Sequence, residues 1–283
     1  MDGVMSDPMP KKSLGQHWLH NVSVLAAICD AAEAAAGDTV LEVGPGLGTL
    51  TRQLLARGAR VTAVEFDETL ALGLQKDGPS FPSGENLRVI QQDILRFDLT
   101  QLPAHYKVVA NIPYYLTSNL IRVLCESTNP FSTAAILIQK EVAERVAAGP
   151  GAMSLLSVSA QFYCDVSLGP VVPAELFTPP PKVDSQVLVL RYRAEPLQPG
   201  IDTKRFFRLV RAGFSQKRKT LVNSLSGGLA LPKDQVRTML AAADIAETTR
   251  AQALSMDDWF ALYKAAEQTG AEQAAAEQNQ PAH

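Results

Sequence analysis

Cysteine is scarce in this 283-residue chain: Cys29, Cys125 and Cys164 are the only ones, and no two form a C-x-x-C pair. That excludes a disulfide framework and points to a reducing, cytoplasmic setting. Histidine is as thin. His17, His20, His105 and His283 show no ligand spacing, so no metal site is expected. No long apolar run is present and the mean hydropathy is near zero, which argues against a transmembrane helix. Met1 to Lys12 carries Asp2 and Asp7 and no apolar stretch, so a signal peptide is not expected. No internal repeat is visible. A basic excess is missing too: the formal net charge is −3. Phosphate binding, however, needs local positive charge rather than a basic average. What the chain does have is length and apolar content. Its 46% hydrophobic residues suffice for one large domain and a small one.

The pattern divides the chain. Residues 1–20 read as an N-terminal arm, followed by a helix from about Val22 to Ala35. Strand and helix patterns then alternate to about Asn129, which implies parallel pairing. Ala134 to Ile138 reads as a fifth strand. Ser157–Val166 and Gln186–Tyr192 read as β-rich, a late and partly antiparallel addition separated by the Pro-containing segment 169–183. Glu195-Pro196-Leu197-Gln198-Pro199-Gly200 breaks the pattern. Helical periodicity runs from Thr203 to about Ala266, with turns near Leu231-Pro232 and Ile245-Ala246. The expected domains are therefore an α/β domain over 21–195 and a small all-helical domain over 200–266. Residues 267–283, poor in apolar side chains, are expected to be a disordered tail.

Four strand ends carry the chemistry. Asp38 to Val43 is a short buried strand running into Gly44-Pro45-Gly46-Leu47-Gly48 and then a helix, the context in which a glycine loop receives a nucleotide-like ligand. The spacing is G-x-G-x-G, and Pro45 removes one N–H, so a pyrophosphate cradle fits poorly. A ligand needing close backbone approach without a phosphate fits better; S-adenosylmethionine is the candidate. A second strand ends at Glu65, about twenty residues beyond Gly44, where a carboxylate can accept both ribose hydroxyls. A third is followed by Asp93, which can accept from an adenine amine. A fourth, Val108-Val109-Ala110, leads into Asn111-Ile112-Pro113-Tyr114. An exocyclic amine is a poor nucleophile because its lone pair is delocalised into the ring. The Asn111 side-chain carbonyl and the Ile112 main-chain carbonyl, aimed outward by Pro113, can hold its hydrogens and free that lone pair. Tyr114 can stack on the base. Singly, each feature is more often an ordinary turn or a solvated strand end. Their order along successive strands is what favours a site.

Eight segments now carry a resemblance. They are Lys11-Lys12-Ser13-Leu14-Gly15-Gln16-His17-Trp18-Leu19, LEVGPGLGTLT at 41–51, VEFD at 64–67, QQDIL at 91–95, NIPYYLTS at 111–118, QKEVAERV at 139–146, and the pair formed by Phe177-Thr178-Pro179-Pro180-Pro181-Lys182-Val183-Asp184-Ser185 and Phe214-Ser215-Gln216-Lys217-Arg218-Lys219-Thr220-Leu221. Over about residues 10–262 the chain resembles the ribosomal RNA adenine N6,N6-dimethyltransferases, specifically the branch acting on small-subunit (16S) RNA. The resemblance implies a Rossmann-like S-adenosylmethionine-dependent methyltransferase domain followed by a helical RNA-binding domain. It implies that His17, Leu19, Gly44, Gly46, Glu65, Asp93 and Asn111 line the cofactor site. It further implies that Tyr114 and Phe177 sandwich the target adenine beside Asn111, Ile112 and Pro113. The implied reaction places two methyl groups on each of two adjacent adenosines in a terminal hairpin loop, within a pre-30S particle. Two departures stand out: His17 occupies a position where the family often has Asn, and Trp18 replaces Phe. Gly149-Pro150-Gly151-Ala152-Met153-Ser154-Leu155 is also unlike the family's tighter segment.

RNA contact has its own signal. Lys204, Arg205, Arg208, Arg211, Lys217, Arg218 and Lys219 lie in a stretch without an acid, and Arg205, Arg208 and Arg211 fall near one helical stripe. An ordinary surface helix mixes both signs. The expected chemistry is direct in-line transfer to an unstacked adenine, accelerated mainly by positioning, with a monomer as the expected state. Three other readings compete: a methyltransferase of large-subunit (23S) RNA of the macrolide-resistance type, a DNA adenine methyltransferase, and a non-catalytic assembly factor on the same fold. DNA adenine enzymes usually carry Asp or Ser with two prolines in place of N-I-P-Y. A non-catalytic factor is expected to have lost Glu65, Asp93 or Asn111, and all three are present.

Overall fold

The structure, a computed structural model, describes residues 10, 11 and 14–278. Two compact units are distinguished: residues up to Glu144 together with Tyr163–Arg193, and Arg145–Phe162 together with the chain from Ala194 onward.

The first unit is a seven-stranded sheet with flanking helices. Its elements are β1 (Trp18–Leu19), α1 (Val22–Ala31), β2 (Thr39–Val43), α2 (Thr49–Ala56), β3 (Arg60–Glu65), α3 (Glu68–Asp77), β4 (Leu87–Gln91), β5 (Lys107–Asn111), α4 (Thr117–Cys125), β6 (Thr133–Gln139), and, after α5 (Lys140–Val146) and α6 (Leu155–Tyr163), β7 (Cys164–Val172), β8 (Phe177–Thr178) and β9 (Ser185–Tyr192). The strand order is β4-β3-β2-β5-β6-β9-β7. The first five are parallel; β9 runs antiparallel to both β6 and β7. The parallel strands are nearly continuous apolar runs, because helices cover both faces. Val108, Val109 and Ala110, and Ala134 to Ile138, are all fully buried.

Chain direction across the sheet fixes where a ligand can sit. From β2 the chain steps outward through β3 and β4, then returns to β5 on the other side of β2 and continues to β6. The order reverses between β2 and β5, and the carboxyl ends of those two strands form the crevice where doubly wound sheets bind ligands. The glycine loop follows β2 and Asn111 ends β5, so the two meet there: a Cβ built on Gly44 would lie 3.6 Å from the Asn111 carbonyl.

Three expectations change. The first helix stops at Ala31, four residues before the Ala35 expected, where Glu33 takes a positive φ of 57°. Ser157–Tyr163, the first part of the Ser157–Val166 segment expected to be β-rich, lies in helix α6; the strand β7 begins only at Cys164. The arm and the Pro-rich segment are not merely loops, since β1 and β8 pair antiparallel, Trp18 opposite Thr178 and Leu19 opposite Phe177.

The second unit contains α6, α7 (Thr203–Phe214), α8 (Leu221–Leu229), α9 (Lys233–Ala242) and α10 (Met256–Gln278). Phe206 is its centre: its ring lies 5.0 Å from Phe162, 5.4 Å from Phe260 and 5.3 Å from Phe207. Phe162 thus draws α6 out of the sheet's sequence and into the helical core. The Gly149–Leu155 segment, which departs from the family pattern, is tied down here. The amides of Gly151 and Met153 both donate to the Gln252 carbonyl, at 2.9 and 3.2 Å. Gly213 has no room for a side chain, since a Cβ would come within 2.5 Å of the Trp259 ring. α10 continues beyond Ala266 to Gln278, so that part of the tail expected to be disordered is helical; residues 279–283 lie outside the described ones. Among the described residues no helix is long and apolar enough to cross a membrane, and no group of three or more His, Cys, Asp or Glu side chains could hold a metal ion.

Candidate methyltransferase site

The carboxyl ends of β2, β3, β4 and β5 enclose a cavity of about 320 Å³. His17, Leu19, Gly44, Gly46, Glu65, Asp93, Asn111, Ile112, Pro113, Tyr114 and Phe177, all singled out from sequence, line this one cavity. Residues from four strand ends and from a distant arm thus converge at one place.

Each strand end contributes a distinct group. After β2 the chain turns through Gly44 (φ 67°), Gly46 (φ 55°) and Gly48 (φ 75°), a left-handed sequence that glycine alone adopts without strain. Bare backbone therefore faces the cavity. Gly46 donates its N–H to Glu65 Oε2 at 3.1 Å, and Asp67 donates to Glu65 Oε1 at 2.9 Å. Both oxygens of Glu65 are so held in place, each with a lone pair to spare. Burial pushes the Glu65 carboxyl above its ordinary range, while these two amides pull it back. Asp67, in turn, caps α3 by accepting from Thr69 and Leu70, and its other oxygen lies 2.6 Å from Lys11 Nζ. That ion pair fastens the arm at the edge of the site. Asp93 accepts from the Leu95 amide through Oδ1 at 2.9 Å; its Oδ2 has a guanidinium, that of Arg96, only at 4.0 Å.

Glu42, one strand residue before the glycine loop turns, is fully buried with both oxygens lacking a hydrogen bond. Burial raises its pKa to about 8; the hydroxyl and amide of Thr51 favour the anion, but stop short of hydrogen-bond geometry, and the nearby Glu65 opposes it. A neutral carboxylic acid thus sits beneath the loop at pH 7.

Around Asn111 the geometry is more telling than the sequence was. Its Nδ2 donates to the His17 main-chain carbonyl at 3.5 Å, which leaves Oδ1 as the acceptor for a ligand. The His17 ring stacks on Tyr114, with centroids 6.0 Å apart and 23° between planes. His17 Nδ1 lies 2.7 Å from the Pro179 carbonyl, and the Tyr114 hydroxyl lies 2.9 Å from Ser185 Oγ. Burial raises the Tyr114 phenol, so it stays neutral. Phe177, whose ring was expected to face Tyr114 across a base, is 3% exposed and belongs to the core through β8. The ring stacked on Tyr114 is that of His17.

Sequence reasoning passed over Phe66 and Tyr115. Both line the cavity, and they are 58% and 67% exposed. The available signal was a large aromatic directly after a strand-end acid and directly after Tyr114. Gly15 (φ 61°) brings the arm to this rim, where a Cβ would meet Pro113 at 3.6 Å and Tyr115 at 3.9 Å.

The expected RNA-binding residues lie in the other unit, on α7 and the turn after it. Phe206, Phe207, Leu209 and Val210 are buried, while Arg205, Arg208 and Arg211 are exposed on the opposite face. Lys217, Arg218 and Lys219 are exposed as well. The stretch is not wholly without acid partners, as its own composition suggested. Arg205 pairs with Glu267 of α10 at 2.8 Å and lies 3.7 Å from Asp202. The remaining five have no ion pair among the described residues.

The profile of the family "Ribosomal RNA adenine dimethylase" matches residues 9–268. The chain is 41% identical over 255 residues to the ribosomal RNA small subunit methyltransferase A of Dehalococcoides mccartyi, covering 89% of this chain and 87% of that protein. It is 37% identical over 259 residues to the protein of the same name from Clostridioides difficile, covering 89% of each. Among solved structures, a dimethyladenosine transferase from Plasmodium falciparum superposes with a TM-score of 0.76 at 27% identity, over 90% of this chain and 98% of that one. The 23S rRNA methyltransferase ErmE gives 0.70 at 30% identity, over 88% and 99%. With its glycine loop, Glu65, Asp93 and Asn111 around one cavity, the chain belongs to the ribosomal RNA adenine dimethylase family.

Proposed function

We propose that this enzyme uses S-adenosylmethionine to dimethylate N6 of two adjacent adenosines in the 3′-terminal hairpin loop of 16S rRNA. Its substrate is a pre-30S or 30S particle, and it works as a monomer in the cytoplasm. Asn111 carries the reading. One of its amide N–H groups is committed to the His17 carbonyl, which leaves its oxygen to accept from an exocyclic amine at the cavity it lines.

The residues present fit the cofactor: bare left-handed backbone at Gly44 and Gly46, a fixed buried carboxylate at Glu65, and an acid at Asp93 with one oxygen free of amide donors. Glu65 would hold the ribose hydroxyls, Asp93 the adenine amine, and His17, Leu19 and the glycine loop the remainder. When bound, S-adenosylmethionine supplies a methyl group on a positively charged sulfur. The chain's own work is positioning. Asn111 Oδ1 and the Ile112 carbonyl hold the two hydrogens of N6 and free its lone pair. Tyr114 supports one face of the base; Phe177 supports the other only once its buried ring is uncovered as the base enters. A neutral amide also tolerates a monomethylated amine, which a second round requires. On the helical unit, Arg205, Arg208, Arg211, Lys217, Arg218 and Lys219 would bind phosphates.

The test is to incubate the protein with methyl-labelled S-adenosylmethionine and small ribosomal subunits lacking the modification, then digest the RNA. Labelled N6,N6-dimethyladenosine from the small-subunit RNA is the expected product. Label in large-subunit RNA instead would support the 23S rRNA methyltransferase reading. Asn111→Ala is expected to lower turnover at least a hundredfold while particle binding stays within about twofold, in line with losing one oriented acceptor in a closed site. Normal turnover by that variant would remove Asn111 from the mechanism.

A further inference from the structure

The structure gives His17 a chemistry that an amide side chain at the same place would lack. A carbonyl oxygen can only accept, so the 2.7 Å contact with the Pro179 carbonyl requires the proton to be on Nδ1. In the neutral ring Nε2 is then the bare nitrogen. It has no partner among the described residues and is not sealed from solvent. The same residue lines the cavity, stacks its ring on Tyr114, and holds Asn111 through its main-chain carbonyl. A lone pair is thus fixed beside the two residues proposed to carry the target base.

We propose that His17 Nε2 is the proton acceptor of the methyl-transfer reaction, an inference that rests on the function proposed above. The N6 lone pair forms the new N–C bond, and the electrons of the broken S–C bond remain on sulfur. In the same transition state one N–H bond of the amine breaks, its electrons return to nitrogen, and the proton passes to Nε2. The imidazolium keeps its Nδ1–H bond to Pro179 and releases the added proton to solvent before the next round. Each dimethylated adenosine requires this twice, since N6 exchanges both hydrogens for methyl groups. An asparagine at the same place could hold Asn111 through its backbone but could not take the proton.

The ionisable groups on the elements around His17 are Glu65, Asp93, Tyr114 and Tyr115, with Lys182 and Asp184 on the segment carrying Pro179. On its own arm Lys11 is paired with Asp67. Burial moves the Tyr114 phenol further above the histidine range and the Glu65 carboxyl upward toward it, so the two profiles are separated by the His17→Asn comparison.

Two measurements test the proposal. The first is 15N NMR of the histidine-labelled full chain, assigned with His17→Asn. The expected spectrum has His17 protonated at Nδ1 and bare at Nε2. A ring protonated at Nε2 would overturn the proposal whatever the activity. The second is the pH profile of single-turnover methyl transfer to unmodified small subunits, with S-adenosylhomocysteine binding checked for each variant. The wild type is expected to lose rate tenfold per pH unit below the titration of His17 read by NMR. His17→Asn is expected to be slower by about a hundredfold near neutrality and flat with pH. A His17→Asn profile parallel to the wild type would reduce His17 to a positioning residue. Absence of any methyl transfer by the wild type would instead defeat the function itself, and the tautomer result would stand apart from it.

Discussion

Glu42 shows how a single residue can tie stability to pH without touching a ligand. It lies near the carboxyl end of a parallel strand, fully buried, under the loop that gives the site its backbone. Its folded pKa is about 8 against an ordinary 4.5. The folded chain therefore keeps a proton between pH 4.5 and 8 that the unfolded chain has already lost. Stability attributable to this group is fully present below pH 4.5 and is lost as pH rises through the folded value, at roughly 1.4 kcal/mol per pH unit across that window. Glu42→Gln keeps the shape and removes the titration. Its urea midpoint is expected to be close to that of the wild type at pH 5 and clearly higher at pH 8.5. Parallel midpoints for the two proteins over that range would show that Glu42 ionises in the folded state without cost.

At the scale of elements, the β2–α2 turn is constrained by both packing and backbone conformation. Gly48 has φ 75°, and a Cβ there would come within 2.7 Å of Leu74 Cδ1 and 3.1 Å of the Phe81 ring. Gly48→Ala meets both a conformational penalty and an overpacked contact, together about 2–4 kcal/mol. Thermal unfolding of the variant is expected well below that of the wild type, and Gly73→Ala, where nothing lies within 4 Å, serves as the control. Equal transitions would mean that Leu74 and Phe81 yield freely. This turn, like β3, β4 and β5, was legible because each strand end carries its own chemical label: glycines, Glu65, Asp93, Asn111. Elements without such labels were not. α6 reads as strand from Val158, Phe162 and Tyr163, and becomes helix because Phe162 packs against Phe206 and Phe260 some forty and a hundred residues away. The β1–β8 pair is two residues long on each side, too short for any period, and its partners are brought together by the sheet. The His17–Tyr114 stack depends on that pairing, so no spacing in the sequence announced it.

For the whole molecule, the separation of chemistry between the two units sets what can be changed independently. Every cavity residue named here belongs to the first unit, whereas the unpaired cations of α7 belong to the second. With a net charge of −3, attraction to RNA cannot come from the average field and must come from a local patch. Arg205 is the weakest member of that patch, since Glu267 and Asp202 already hold its charge. Arg208 and Arg211 have no acid partner among the described residues and stand on the exposed face of α7. Changing both to Ala leaves the buried Phe206–Val210 face intact. Each lost phosphate contact is expected to reduce the slope of log K against log salt by roughly 0.7–0.9, so the double variant should lose about 1.5 from that slope. Binding of small subunits should weaken about tenfold or more at moderate salt, while S-adenosylhomocysteine affinity stays within about twofold. Filter binding across a salt series, with calorimetry on the cofactor product, reads both quantities. An unchanged slope would assign phosphate contact to Lys217, Arg218 and Lys219 instead, which with Lys204 are the other exposed cations of the segment without a described ion pair, and the helix stripe would then be only a solvated face.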